Sequence, residues 1–289
     1  MNPSVTNPYS HLVAEFSRIV TEGRSLPLGG FPAPTHPAPA VGAPVALFFA
    51  PHPDDETITG GLALRLLREN GWRVVDIAVT LGSKPERKEE RWQELRNACQ
   101  YLGFAVERTA PGGLEAVRPE NREREPQAWA EKVQVAAAFL EKYQPKAVFC
   151  PHELDVHSAH IGTHFLVMDA LRVAKLGSCF LVETEFWGQM SKPNLMVEYT
   201  AGDVADLVAA TSFHRGEVQR NPYQLLIPAW MQDNVRRGAE LVGGAGKGAP
   251  AFMFAQLYRL RRWNGRQLEN CWEGGRNLAA GTNAASLFS

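Results

Sequence analysis

Apolar residues fall into two kinds of pattern along this chain, short unbroken runs and stripes with helical spacing. The runs predict strands buried on both faces, and they read VALFFA (45–50), VVDIAVT (74–80) and KAVFC (146–150). The stripes predict helices within residues 57–70, 87–102, 129–140 and 159–176. Thr57 is expected to cap the first of these helices, and Gly71 to end it.

Strands that alternate with helices of this length predict an α/β fold, because neighbouring parallel strands need crossover connections. We expect a Rossmann-like, mostly parallel sheet with helices on both faces, formed by a single large domain over residues 45–289. Further strands are expected at CFLVETEFW (179–187) and LMVEYT (195–200), and a further helix at 203–213.

The first 44 residues have a different pattern. YSHLVAEFSRIV (9–20) places Leu12, Phe16 and Ile19 on one face, which predicts a short amphipathic helix. The following stretch, residues 26–44, is dense in proline and glycine, which favour extended or turn conformations. We therefore expect residues 1–44 to form an N-terminal helix and a proline-rich arm.

Composition and charge narrow the class of partner. The chain has 289 residues, a formal net charge of -1 and a sequence pI near 6.7, so it has no long-range field to attract nucleic acid or an anionic membrane. No apolar run approaches the roughly 20 residues that span a bilayer, and no signal peptide pattern is present, so we expect a cytoplasmic protein. The four cysteines form no CxxC pair and predict neither disulfides nor a thiolate zinc site.

The candidate chemistry lies in two loops that follow predicted strands. PHPDDETITGG (51–61) holds three consecutive acids, which repel one another unless a positive charge offsets them. PHELDVHSAHIGTH (151–164) holds four of the eight histidines. Because ligands of parallel sheets bind beyond the carboxyl ends of the strands, both loops are expected at one edge. Imidazole and carboxylate are normal zinc ligands, and catalytic zinc sites keep one position open, so the two loops predict a metal site.

These residues also have structural interpretations. An acidic first turn complements a helix dipole by about 0.3–1 kcal/mol per charge, which explains one acid or two but not His52 or the second loop. His160 and His164 have the spacing of a zincin pair, yet Ile161 stands where a glutamate is expected, so His164 is interpreted as a packing residue or as one that orients a ligand. GGAGKGAP (243–250) lacks the glycine and hydroxyl positions of a phosphate loop.

Three segments resemble the PIG-L/LmbE-like family of zinc-dependent N-acetylglucosaminyl deacetylases. They are PHPDDETITGG, HSAH (157–160) and RWQELRNACQYLG (91–103). The resemblance implies zinc ligands at His52, Asp55 and His160. It further implies the general base at Asp54, an oxyanion-stabilising acid at His157 and a sugar-binding residue at Arg91.

The residues around this set and its chemistry complete the hypothesis. Glu56 is expected to cap a turn or orient a ligand, and Asp155 to hold the ring of His157 or cap a turn. We expect metal-assisted removal of an acetyl group from a small N-acetylated amino sugar or a conjugate of one. The alternatives are a metal-dependent hydratase or lyase on the same scaffold, or a non-catalytic sugar-binding protein. Ferrous iron suits the same ligands as zinc, and the sequence leaves a homo-oligomer open.

Overall fold

The computed structural model describes residues 7–289 and confirms the mostly parallel α/β fold. The strands are β1 (Val45–Ala50), β2 (Arg73–Ala78), β3 (Ala105–Arg108), β4 (Ala147–Pro151), β5 (Cys179–Thr184), β6 (Leu195–Tyr199), β7 (Phe254–Trp263), β8 (Leu268–Asn270) and β9 (Arg276–Leu278). The helices are α1 (Ser10–Gly23), α2 (Asp55–Ile58), α3 (Gly61–Asn70), α4 (Lys88–Leu102), α5 (Pro119–Arg124), α6 (Pro126–Tyr143), α7 (Ser158–Val173), α8 (Ala201–Thr211), α9 (Arg215–Arg220) and α10 (Ile227–Leu241).

The strands form one sheet in the order β3-β2-β1-β4-β5-β7-β6-β9, and β8 pairs with β7. The first five strands in this order are parallel, and β7 is antiparallel to both of its neighbours in that order. From β1 the chain continues to β2 on one side and later returns to β4 on the other. The order therefore reverses between β1 and β4, and such a switch point is where open α/β sheets bind ligands.

Alternate residues of β1 enter two separate apolar cores, one on each face of the sheet. Ala46 and Phe48 pack on one face with side chains from α3 and α4. Leu47 and Phe49 pack on the other with side chains from α6 and α7. The helices therefore cover both faces, as the unbroken apolar run of β1 predicted.

The first helical prediction was wrong at its start. The sequence predicted one helix capped by Thr57, but the chain forms the short α2, breaks at Thr59 and Gly60, and begins α3 at Gly61. Gly60 is required there, because a Cβ at this position would lie 2.0 Å from the carbonyl oxygen of Glu56. Gly71 ends α3 with a positive φ of 67°, as predicted.

The segment before β1 contains the predicted helix, α1, and then irregular chain. No residue of α1 is buried. Hydrogen bonds fix the irregular stretch to the sheet domain. The Gly29 amide donates to Ser212 Oγ at 3.1 Å, Arg215 Nε donates to the carbonyl oxygen of Leu28 at 2.8 Å, and His36 Nε2 lies 2.9 Å from the carbonyl oxygen of Tyr101. Residues 1–6 of the predicted N-terminal segment lie outside the described residues, and the boundary near residue 44 stays a prediction.

None of the helices within residues 7–289 combines the length and the apolar character needed to cross a membrane.

We predict that Asp76, in the middle of β2, makes the folded state less stable as the pH rises. Both carboxylate oxygens are buried and have no hydrogen-bond partner among residues 7–289. Burial, with Glu56 and Asp55 nearby, raises the pKa of Asp76 well above its ordinary value. The folded state therefore binds this proton more tightly than the unfolded chain, and the free energy of unfolding falls as pH rises through the raised pKa.

The measurement is urea unfolding of the wild type and Asp76→Asn at about pH 5 and about pH 8. Relative to the wild type, the variant should gain stability at the higher pH. An asparagine amide has the same burial cost at both pH values, so an unchanged difference between the two proteins would contradict the prediction.

Candidate metal centre

The loop after β1 turns sharply at Asp54, which has a φ of 128°. A residue with a side chain rarely adopts this conformation, and it persists only where the surroundings hold it. Here the carbonyl oxygen of Asp54 accepts hydrogen bonds from the amides of Thr57 and Ile58 at 3.1 Å. The Asp54 amide donates to Glu56 Oε2 at 2.9 Å. The two ends of this residue are therefore fixed by the turn that follows it.

A buried pair holds Glu56 in place. Its second oxygen, Oε1, lies 2.8 Å from Nε2 of His214, which sits between α8 and α9, and both side chains are fully buried. A buried carboxylate with one partner at the Asp54 amide and another at an imidazole has little freedom to move. Of the two roles that the sequence suggests for Glu56, the structure shows the contact of a cap, to the Asp54 amide, and the orientation of a ligand stays a prediction.

The turn sends the two aspartates to different partners. Asp55 Oδ2 lies 3.6 Å from Nδ1 of His52 and 3.4 Å from Nε2 of His160. Asp54 Oδ2 instead accepts a hydrogen bond from the hydroxyl of Tyr223 at 2.5 Å. Two adjacent carboxylates therefore face different neighbours, as the sequence analysis expected.

Three imidazoles surround the Asp55 carboxylate. Each of His52, His157 and His160 offers a ring nitrogen within 4.8 Å of the other two. The ring centroids are 4.8 to 5.3 Å apart. The structure thus brings together every predicted ligand, and it adds His157 to the same cluster.

This cluster fits a divalent cation. A tetrahedral ion with bonds of about 2.1 Å separates its ligand atoms by about 3.4 Å, close to the spacing of Asp55 Oδ2 from the two imidazole nitrogens. His160 Nε2 is buried and has no hydrogen-bond partner among the described residues. An unpartnered buried nitrogen is costly unless something binds it, and a cation would do so.

Asp155 orients one of these rings. Its Oδ2 lies 3.4 Å from Nδ1 of His160, and its Oδ1 accepts the backbone amide of His157 at 3.0 Å. The sequence predicted that this carboxylate would hold the ring of His157 or cap a turn. It accepts the His157 amide, as a turn cap does, and faces the ring of His160 instead of that of His157. A carboxylate on the far nitrogen fixes the orientation of a ligating imidazole. The His157 ring is exposed, and its Nδ1 accepts the Ala159 amide at 3.3 Å.

The two aspartates also differ in acidity. Burial and the neighbouring charge of Asp55 raise the pKa of Asp54 to about 7. Burial alone would raise the pKa of Asp55 as well, but His160 and His52 outweigh it and lower that pKa to about 2. Asp55 is therefore the carboxylate suited to remain ionised beside a cation, and Asp54 is the one suited to exchange a proton near neutral pH.

Arg91 contacts the loop rather than open space. Its Nη2 donates to the carbonyl oxygen of Pro53 at 2.8 Å, and its Nη1 lies 3.8 Å from Glu217 Oε1. Gly82 leaves room for this side chain, because a Cβ there would be 2.5 Å from Nη1. The sequence analysis placed Arg91 at the sugar hydroxyls, and the structure places its guanidinium against the loop that carries Asp54.

A second group, Glu153, His164 and Glu183, also has the spacing of metal ligands. Two arginines already neutralise it, since Arg259 and Arg261 donate to both oxygens of Glu183 at 2.6 to 2.9 Å. These charge-assisted bonds occupy the carboxylate. We therefore interpret this group as an ion-pair network, in agreement with a packing role for His164.

The sequence did not predict His214 as a partner of Glu56 or Tyr223 as a partner of Asp54. These residues lie 158 and 169 positions from their partners in the first loop. Neither has a local pattern that marks it as part of the site. A histidine in SFHRGEVQ (212–219) was the only available signal, and it was not specific.

Fold and site together define a class of protein, a Rossmann-like domain with a candidate metal centre at the switch point of its sheet. Within that class, residues 47–171 match the family model described as "PIG-L: GlcNAc-PI de-N-acetylase". The match covers less than half of the chain, and the resemblance seen in the sequence is confirmed over these residues.

Named relatives support the same family. The chain is 31% identical over 157 residues to a 1D-myo-inositol 2-acetamido-2-deoxy-alpha-D-glucopyranoside deacetylase of Mycolicibacterium gilvum, an alignment that covers 45% of this chain and 55% of that protein. The enzymes with the same description in two strains of Mycobacterium leprae are 28% identical over 155 residues, and each alignment covers 44% of this chain and 50% of that protein. The chain thus spans about half the length of the curated relatives it matches.

Solved structures share the fold. The N,N'-diacetylchitobiose deacetylase of Pyrococcus horikoshii superposes with a TM-score of 0.54 at 16% identity, covering 91% of this chain and 96% of that one. The 4-carboxy-2-hydroxymuconate hydratase GalB of Pseudomonas putida KT2440 gives a TM-score of 0.54 at 16% identity, over 79% and 100%. At these identities the likeness concerns the fold alone.

We predict that the purified protein binds close to one divalent ion per chain and that His160→Ala loses it, because the variant removes a buried nitrogen from the cluster. Elemental analysis after dialysis measures the number of divalent ions per chain. His164→Ala is the matched control, since it removes an imidazole from the ion-pair network and should keep the ion. Equal metal contents in the two variants would count against the assignment.

Proposed function

We propose that the protein is a metal-dependent deacetylase that hydrolyses the acetamido group of an N-acetylated amino sugar or a conjugate of one. The observation that carries the proposal is that two adjacent carboxylates have different neighbours and different acidity. Asp55 faces the imidazoles, and Asp54 stands beside them with a pKa of about 7. The PIG-L match and the deacetylase relatives support an amide of this kind as the substrate.

His52, Asp55 and His160 would hold the ion, which we propose to be zinc, with ferrous iron as a substitute for the same ligands. When bound, such an ion supplies Lewis acidity, which polarises a carbonyl group and lowers the pKa of water. Asp155 contributes by fixing the ring of His160.

Asp54 acts as the general base. A base is most effective when its pKa lies near the operating pH, and burial beside Asp55 brings the pKa of Asp54 to about 7. The Tyr223 hydroxyl and the fixed turn hold this carboxylate in one orientation. In that orientation the Asp54 carboxylate can take a proton from the attacking water while it does not act as a ligand of the cation.

His157 acts at the carbonyl and the leaving amine. Its ring is exposed and close to those of His52 and His160, while Asp155 fixes its backbone amide. The imidazolium form of this ring can donate a hydrogen bond to the developing oxyanion and then a proton to the amine, which leaves the ring neutral. Acetate and a free amino sugar are the products.

Arg91 is proposed to hold the loop after β1 in place. We assign its hydrogen bond to the Pro53 carbonyl the role of keeping the Asp54 turn at the edge of the sheet.

We predict that Asp54→Asn keeps its metal and lowers kcat for acetate release by about 10²- to 10⁴-fold, the usual contribution of a general base. Acetate release from N-acetylglucosamine conjugates and elemental analysis of the same preparation measure the two effects. A variant with normal turnover would remove Asp54 from the mechanism. Loss of absorbance from a conjugated substrate without acetate release would instead favour a hydratase.

We predict that the pair between Glu56 and His214 positions Asp54. His214→Leu removes the partner of a buried carboxylate and should lower kcat at least about tenfold, whereas His214→Gln can still donate to Glu56 and should retain most of it. The KM and the metal content are expected to stay unchanged in the glutamine variant. Equal losses in both variants, measured on folded protein, would argue against positioning by this hydrogen bond.

A further inference from the structure

Several large apolar side chains are exposed on the sheet domain, and more than half of them lie near the candidate metal centre. Seven such side chains are exposed between residues 45 and 289, and four of them lie around the candidate metal centre. These four, which we call the apolar rim, are Leu154 (67% exposed), Val156 (76%), Trp187 (44%) and Leu226 (51%). A few scattered apolar side chains on a surface are ordinary, whereas a group beside a site needs a reason.

One side of the rim belongs to the loop that carries His157. Val156 directly precedes that histidine, and Leu154 precedes Asp155, whose carboxylate faces His160. The loop is held against the Trp187 segment, since a Cβ on Gly188 would come within 2.8 Å of the Cα of Asp155. Trp187 therefore lies beside the loop of Leu154 and Val156.

The other side of the rim reaches the Asp54 turn through aromatic rings. The Trp187 ring lies 6.2 Å from that of Tyr223, whose hydroxyl donates to Asp54, and 4.8 Å from that of Phe186. Phe186 in turn lines a small cavity together with Asp55 and His160. Leu226 follows on the same segment as Tyr223, whose carbonyl oxygen accepts its amide at 2.9 Å.

The rim thus borders the two side chains that any substrate amide must meet, Asp54 and His157. A sugar attached to that amide fills the space next to them, and the group attached to the sugar extends outward past the rim. Free N-acetylglucosamine would leave these apolar side chains in water. An apolar attached group would cover them, and removing apolar surface from water favours binding.

We propose that the apolar rim is a subsite for an apolar aglycone, so that the preferred substrate is an N-acetylated amino sugar joined to a hydrocarbon or aromatic group. This inference rests on the proposed deacetylase function. It adds a substrate class that the metal cluster itself does not specify.

The test compares acetate release from the methyl and hexyl glycosides of N-acetylglucosamine, with each anomer assayed separately on the full chain. We expect kcat/KM to be at least about tenfold higher for the hexyl glycoside, which corresponds to about 1.4 kcal/mol. Trp187→Ala and Val156→Ala should each lower the hexyl-to-methyl ratio at least about threefold, because they remove part of the covering surface.

Val173→Ala is the matched control, since it makes the same change at an exposed valine of α7 outside the rim. It should leave the ratio unchanged. If the wild type hydrolyses both glycosides equally well, or if all three variants behave alike, the subsite is wrong while the deacetylase function stands. If neither glycoside releases acetate, the proposed function fails and the subsite fails with it.

Discussion

The backbone at Asp54 is the constraint on which the rest of the site depends. Its φ of 128° costs conformational energy that neighbouring groups must offset. Glu56 holds the amide, two amides hold the carbonyl oxygen, and His214 holds Glu56. Without this turn, Asp54 and Asp55 would follow an ordinary extended or helical path. With it, one carboxylate meets the imidazoles and the other meets a tyrosine.

This separation has an electrostatic consequence. Asp54, Asp55 and Glu56 are all buried, and Asp76 is buried beside them without hydrogen-bond partners among residues 7–289. A cation at the histidine cluster would reduce the mutual repulsion of the ionised carboxylates. The proposed metal centre thus lies where buried acids are concentrated under the switch point of the sheet.

Local patterns in the sequence predicted the parts of this arrangement that depend on neighbouring residues. The unbroken apolar runs identified β1, β2 and β4, and the rule for parallel sheets placed both histidine loops at one edge. The break before α3 was missed because it depends on how closely Gly60 approaches Glu56. His214 and Tyr223 were missed as partners of the first loop because they reach it only through the folded chain.

The irregular stretch before β1 packs on the residues that lead into His214. Gly29 binds Ser212, and the Phe31 ring lies 5.6 Å from that of Phe213. Residues that precede the family match, which starts at residue 47, therefore support the main chain that carries His214. A fragment that begins at the first strand would lack this contact to the main chain before His214, and with it an indirect support of the Glu56 carboxylate that holds the Asp54 amide.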